Sequence, residues 1–169
     1  MDIVLRAARA EELGLLPDIE RASGEAFRSV GMPQIADDDP MPVQVLARHD
    51  VWVAVRDGVP VAFAVAAVVD GCAHVEQISV HPDHSRLGIG RRLLDHIEQW
   101  AARRGLAALT LTTFRAVPWN GPYYERLGFR VLSPDEITPG LAAAVAEEAE
   151  RGLDTSARVC MRRDIAPVG

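Results

Sequence analysis

The chain has 169 residues, 49% of them apolar, and a formal net charge of -6. It is long enough to bury a core in one domain over residues 1–169, and too apolar to be disordered. The acidic balance argues against nucleic acid or an anionic membrane as the main partner, since both are held through broad basic surfaces, and fits a cationic substrate better. Cys72 and Cys160 are too few and too far apart for a disulfide framework or a zinc site, so both are read as reduced thiols and no metal is expected. The first residues carry no basic-then-apolar signal pattern, and the longest apolar run, 59–69, is too short to span a bilayer. A soluble, cytoplasmic protein is the expectation.

In chain order, residues 3–6 form a short strand pattern. Residues 11–27 follow with Leu15, Ile19, Ala22 and Ala26 at helical spacing and Gly24 as a place to divide them. Residues 30–42 turn to Gly, Pro and Asp, a loop that leads into a short helix over 43–48. Asp57-Gly58 and Asp70-Gly71 then separate three strands, 51–56, 61–69 and 73–80, as an antiparallel meander. After a glycine turn, a helix to Arg104 buries Ile89, Leu93, Ile97 and Trp100 or Ala101, with Arg92, His96, Gln99 and Arg103 toward water and Gly105 beyond its end. Residues 107–113 are a strand. Asn120 stands as the N-cap of a short helix that Gly128 ends, 129–132 is a strand, 140–151 an Ala- and Glu-rich helix, and 157–165 a closing edge or paired strand.

The turn itself, SRLGIGRR over 85–92, has the parts of an anion cradle. Gly88 and Gly90 let a ligand approach the backbone, a helix N-terminus leaves N–H groups unpaired, and Arg86, Arg91 and Arg92 add positive charge. Cations in a first helical turn oppose the macrodipole by about 0.3–1 kcal/mol each, which a bound anion would offset. A dinucleotide fingerprint would need a third glycine where Leu93 stands, and a P-loop would need Gly-Lys-Ser/Thr.

The run ISVHPDHSRLGIGRRLL, followed by NGPYYERLGF from Asn120, resembles the GCN5-related N-acetyltransferase (GNAT) family of acetyl-coenzyme A-dependent acyltransferases. The resemblance implies an α/β (α+β) fold with a mixed, mostly antiparallel central sheet of about seven strands flanked by helices. It implies that backbone amides of Arg86, Leu87, Gly88, Ile89, Gly90 and Arg91 hold the coenzyme pyrophosphate, with Ser85 and Arg92 also counted in the coenzyme site. Ile78, Ser79 and Val80 would pair with the pantetheine arm, and Asn120 and Tyr123 would contact the coenzyme. Where the family carries Gln or Arg, this chain has Ser85, a departure that main-chain binding tolerates.

The same resemblance places Tyr124 as general acid. A phenol with a pKa of about 10 is protonated at neutral pH and can donate to a departing thiolate whose pKa is about 8.5. Glu76, with His74 as relay or substitute, would take the proton that an amine of pKa about 10.4 must lose before it attacks; the two lie two apart on one strand and so share a face. The implied reaction is direct acetyl transfer from acetyl-coenzyme A to a primary amine of a small molecule or peptide, with the oxyanion held by an N–H near Val80. A non-catalytic sensor of acetyl-coenzyme A, another acyl chain, or a hydroxyl acceptor are the alternatives the residues leave open. The last strand also offers a surface for a homodimer.

Overall fold

A computed structural model of the chain describes residues 2–166; residues 1 and 167–169, the ends of the expected domain, lie outside the described residues. Seven strands, β1 (Ile3–Ala7), β2 (Asp50–Arg56), β3 (Val59–Val69), β4 (Cys72–Val80), β5 (Ala108–Phe114), β6 (Arg130–Val131) and β7 (Arg158–Asp164), make one sheet in the order β1-β2-β3-β4-β5-β7-β6. The α-helices among the described residues are α1 (Leu16–Gly24), α2 (Pro33–Ala36), α3 (Val43–Leu46), α4 (Ile89–Arg103), α5 (Gly121–Arg126) and α6 (Pro139–Glu150). The α/β class and the seven strands match the sequence reading. The chain divides into two compact units, one of Met1–Ala67 with Glu76–Ile97, the other of Val68–Val75 with Glu98–Gly169.

In the first unit β1 and β3 flank β2 in antiparallel pairing. Asp57 and Gly58 take φ of 52° and 79°, the left-handed pair that a tight two-residue hairpin needs to match strand twist. Alternation then sorts the side chains. Val51, Val53 and Val55 of β2 and Phe63 and Val65 of β3 are buried with Leu16 and Ile19 of α1 and Leu46 of α3. Trp52 points the other way and meets His96 of α4 edge to face, ring centroids 6.4 Å apart. His96, expected in water, is therefore half-buried.

The helical stripe expected through Leu15 also shifts. Residues Ala10–Leu15 wind as a 3-10 helix, which turns the chain faster than an α-helix, so a 3.6-residue count carried across them slips. Leu15 is 51% exposed and Leu16 takes the buried place, while Ala26 lies exposed in a second 3-10 segment after Gly24. Part of the expected 30–42 loop folds as α2, started by Pro33.

In the second unit β7 pairs antiparallel with β5 from Ala108↔Asp164 to Phe114↔Arg158, and with β6 on its other side. The closing strand is thus an inner strand and not an edge, with β6 paired to it at Arg130↔Arg162 and Val131↔Met161. β4 and β5 pair in parallel at Ala73↔Leu109 and His74↔Thr110. The end of α4 is closed by bonds from Gly105 N–H to Ala102 O and from Leu106 N–H to Ala101 O, and Ala101 rather than Trp100 completes the buried stripe. Helix α6 is tied down at both ends. The Gly140 N–H donates to Asp70 Oδ2 at 2.7 Å, and Glu148 accepts from Arg158 at 2.8 and 2.9 Å.

Near the start of the chain, Glu12 is 8% exposed and accepts two bonds from the Arg6 guanidinium, at 2.7 and 2.8 Å, and one from the Arg9 N–H at 2.8 Å. These bonds, that from Arg6 foremost, pull the Glu12 carboxyl down from 4.5 to about 2. A depressed carboxyl stabilises the fold above its unfolded pKa and loses that contribution as pH falls toward the folded value. Glu12→Gln is therefore expected to cost about 1–3 kcal/mol in urea unfolding at pH 7, with the gap to the parent chain closing between pH 5 and pH 2. A gap that stays constant over that range would show that the charge is not what stabilises.

Candidate active site

The glycine turn begins where β4 ends. His81 N–H donates to Val61 O at 2.9 Å, and Pro82–His84 form one 3-10 turn, inside which the Asp83 N–H donates to His81 Nδ1 at 3.1 Å. His84 Nδ1 lies 3.2 Å from Arg56 Nη1, so both loop histidines serve the turn. Ser85 is extended, and Arg86, an L-residue, is held at φ 62°, with Gly88 at 73°. A residue other than glycine in this region costs about 1–2 kcal/mol, and such strain gathers at ligand-binding segments. Ser85, Arg86, Leu87 and Gly88 are all exposed, and a Cβ added at Gly88 would meet nothing within 4 Å.

α4, fifteen residues long, starts directly after this turn. Its first N–H groups stand next to bare backbone and two exposed cations, Arg91 and Arg92, a donor set that suits phosphate oxygens. Two of the expected residues have side chains engaged in the fold. The Ile89 side chain is 2% exposed and belongs to the core, which leaves only its amide for a ligand. Arg92 Nη2 donates to Ile3 O at 3.0 Å, and with Arg56, Asp2 and Leu87 it borders a cavity of about 540 Å³. Part of its positive charge in the first helical turn thus has a structural use.

On β4, Ile78 and Val80 are half-buried, and Ser79, 2% exposed, accepts a bond from Gln77 Nε2 at 2.8 Å. Glu76 is exposed. His74 is 2% exposed, and its Nδ1 lies 2.9 Å from Thr110 Oγ1 on β5. The two candidates for proton removal therefore sit in different surroundings, one in water and one buried against a hydroxyl.

α5 is ended by bonds from Gly128 N–H to Glu125 O and Phe129 N–H to Tyr124 O. This closure brings the residue after the glycine back over the helix, and the Tyr124 and Phe129 rings meet at 5.7 Å. Tyr123 meets Tyr124 from another side at 5.3 Å. Burial pushes the Tyr124 hydroxyl well above the ordinary phenol value, Tyr123 adds to the shift, and Arg158 partly offsets it. Asn120 precedes α5 but makes no side-chain cap; its Nδ2 donates to Trp119 O at 3.1 Å, so the capping role expected of it is not what holds its side chain. The glycine after it is fixed by close approach, since a Cβ on Gly121 would run into the Arg115 carbonyl.

Two groupings had no sequence signal: the Thr110 hydroxyl that meets His74, and, apart from the candidate site residues, the buried Glu148 with the half-buried Thr112 and Arg158. Thr110 and Thr112 alternate on one strand and could be seen as a polar row, but nothing in the sequence pairs Glu148 with Arg158. Among the described residues no group of three or more His, Cys, Asp or Glu is placed to hold a metal ion, and no helix is long and apolar enough to cross a membrane.

Comparison with known proteins bears directly on these features. The family described as the acetyltransferase (GNAT) family matches residues 16–129. The [ribosomal protein bS18]-alanine N-acetyltransferase of Escherichia coli strain K12 is 38% identical over 74 residues, which are 44% of this chain and 50% of that protein. The chain thus spans about half the length of the curated relatives it matches. The crystal structure of the ribosomal-protein-S18-alanine N-acetyltransferase from Escherichia coli superposes with a TM-score of 0.69 at 21% identity, covering 99% of this chain and 97% of that one. The PaiA N-acetyltransferase from Thermoplasma acidophilum, solved in complex with coenzyme A, gives a TM-score of 0.69 at 17% identity, over 97% and 99% of the two chains. At such identities the structural likeness is one of fold, whereas the family match takes in well over half the sequence, including the glycine turn and Tyr124. The chain belongs to the acetyltransferase (GNAT) family.

Proposed function

We propose that this protein transfers the acetyl group of acetyl-coenzyme A to a primary amine of a small molecule or peptide, by direct attack while both are bound. The observation that carries the reading is the exposed turn from Ser85 to Gly88, with Arg86 and Gly88 at positive φ, opening directly onto the N-terminus of α4. That surface fits a pyrophosphate, and the coenzyme A complex of the Thermoplasma protein supports it. The ribosomal-protein alanine acetyltransferase supports an amine, and a peptide N-terminus within the acceptor class. The two units act as one acetyltransferase domain, in the cytoplasm, where thiols such as Cys72 and Cys160 remain reduced.

Bound acetyl-coenzyme A supplies an activated thioester. Amides from Arg86 to Arg91 hold the pyrophosphate, Ile78 to Val80 offer backbone groups to the pantetheine arm, and Asn120 and Tyr123 add contacts to the coenzyme. Glu76, exposed to solvent, takes the proton from the incoming ammonium. His74 stands two residues away, about 6.6 Å along the strand, too far for a direct hydrogen bond to Glu76 and suited to a relay through water. An N–H near Val80 receives the developing oxyanion, and Tyr124 gives its proton to the departing sulfur. A pure sensor would have no need of an exposed carboxylate and a buried, firmly protonated phenol together.

Because burial raises the Tyr124 pKa, its proton-donating form persists through neutral and mildly alkaline pH. Turnover should therefore show no falling limb from this group below pH 10. Tyr124→Phe is expected to lower kcat by about a hundredfold or more while leaving coenzyme affinity within about twofold; equal loss of both would make the residue structural. Glu76→Gln should flatten or shift the rising limb of the pH-rate profile, and an unchanged limb removes it from the base role. Gly88→Ala, strained at φ 73°, should weaken coenzyme A binding by about tenfold in calorimetry, and unchanged binding would take the turn out of the site.

A further inference from the structure

α5, which carries Tyr124, has six residues, and a helix of that length does not hold itself without outside contacts. Its last carbonyls have no partner inside the helix. The carbonyl at its end, Leu127 O, accepts from Arg163 Nη1 at 3.0 Å. Arg163 stands on β7 opposite Leu109 of β5, so a paired strand delivers this cation to the end of the helix, where carbonyls and macrodipole both favour it. All of these residues belong to the second unit.

Further contacts fix the same side chain. Its Nε lies 3.6 Å from Glu98 Oε1 on α4, its Cζ lies 5.3 Å from the centre of the Phe129 ring, and its Cδ would stand 3.4 Å from a Cβ on Gly128. Phe129 is 3% exposed and has no polar group to orient it, so its ring is placed by what it packs against. The guanidinium is one such neighbour, a cation over a ring face. The Tyr124 ring is another, 5.7 Å away and inclined at 70°, the edge-on geometry that aromatic pairs favour. Arg163 thus reaches the phenol by two routes, through the backbone of α5 at Leu127 and through Phe129.

We infer that Arg163 is a positioning residue for Tyr124: by holding Leu127 and Phe129 it sets where the phenol hydroxyl stands when its proton passes to the departing sulfur. The inference rests on the acetyl-transfer reading above and adds to it a residue 36 positions beyond Leu127, outside the glycine turn and the Tyr-x-x-Leu-Gly-Phe run. A planar guanidinium donates to a carbonyl and lies on a ring at the same time; lysine keeps the charge and a donor without the plane, and methionine keeps only the stem. Misplacing a reacting group by about 1 Å costs up to about a hundredfold in rate, so the effect belongs in turnover and not in coenzyme binding.

The test measures thiol release from acetyl-coenzyme A by the full chain with propylamine, spermidine and a peptide that begins with alanine. Arg163→Met should lower kcat by about tenfold or more and leave the KM for acetyl-coenzyme A within about twofold, and Arg163→Lys should recover part of the loss. In a Tyr124→Phe background the methionine substitution should cost less than about twofold more, because a residue that acts through the phenol has nothing left to position. Tyr123 and Tyr124 are the two tyrosines of the chain, so Tyr124→Phe also assigns the Tyr124 ring signals in a spectrum of ring-labelled tyrosine. Those signals should move in Arg163→Met and return toward their parent positions in Arg163→Lys. Should methionine lower the melting temperature, Arg163→Gln, which keeps a neutral donor, replaces it in the same comparisons. Equal loss in the two backgrounds, an unchanged kcat, or Tyr124 ring signals that do not move overturn the assignment. If the parent chain releases no thiol with any of the three amines, the acetyl-transfer reading falls, while ring signals that still move and return leave the positioning of Tyr124 by Arg163 standing.

Discussion

A carboxylate carried under a helix must find partners there, and in the second unit that requirement organises everything around Glu148. The residue is 7% exposed, and it is matched by both nitrogens that Arg158 can turn toward it and by the Thr112 hydroxyl. Arg158 in turn reaches the Thr112 carbonyl at 3.1 Å and lies over the Phe114 ring at 4.6 Å. Such a buried pair adds little net stability over an apolar equivalent, but breaking one side of it costs about 3–5 kcal/mol, so it acts chiefly to forbid other arrangements. Burial raises the pKa of the Cys160 thiol, and the neighbouring Glu148 adds to the shift.

The glycine turn obeys a different constraint, the satisfaction of backbone groups. Between the 3-10 turn at Pro82–His84 and the first turn of α4, the chain has to reverse with its amides uncovered, and it does so by holding Arg86 and Gly88 at positive φ. The buried Ile89, Leu93 and Leu94 anchor the helix behind it, so a flexible-looking segment of sequence is mounted on a rigid base. Rigid mounting is what a phosphate cradle needs, since donors that are already aligned lose little entropy when the ligand arrives.

Tyr124 shows how one local event can set both structure and chemistry. The helix ends because Gly128 lets the chain fold back, the fold-back seats Phe129 on Tyr124, and the resulting burial raises the phenol pKa. The acid's strength is thus fixed by the way its helix stops. Asn120, at the other end of the same short helix, has a side chain free of the capping role that its position suggests.

What the sequence by itself determined was whatever depends on neighbours along the chain. The Asp-Gly pairs specify their hairpins because two successive residues at positive φ are cheap for that pair, and α4 is legible because its apolar stripe repeats at helical spacing through Ile89, Leu93, Ile97 and Ala101. The turn and the Tyr-x-x-Leu-Gly-Phe run were readable for the same reason, each being a contiguous motif. Tertiary structure decided the rest. Leu16 replaced Leu15 in the core because a 3-10 segment reset the helical phase, a choice worth too little energy for a pattern to carry. The inner position of β7, the seat of His74 on Thr110 and the closure of α6 by Glu148 and Arg158 all join residues distant in sequence. Such pairings depend on which surfaces the finished fold brings within about 3 Å, and no periodicity along the chain records that distance.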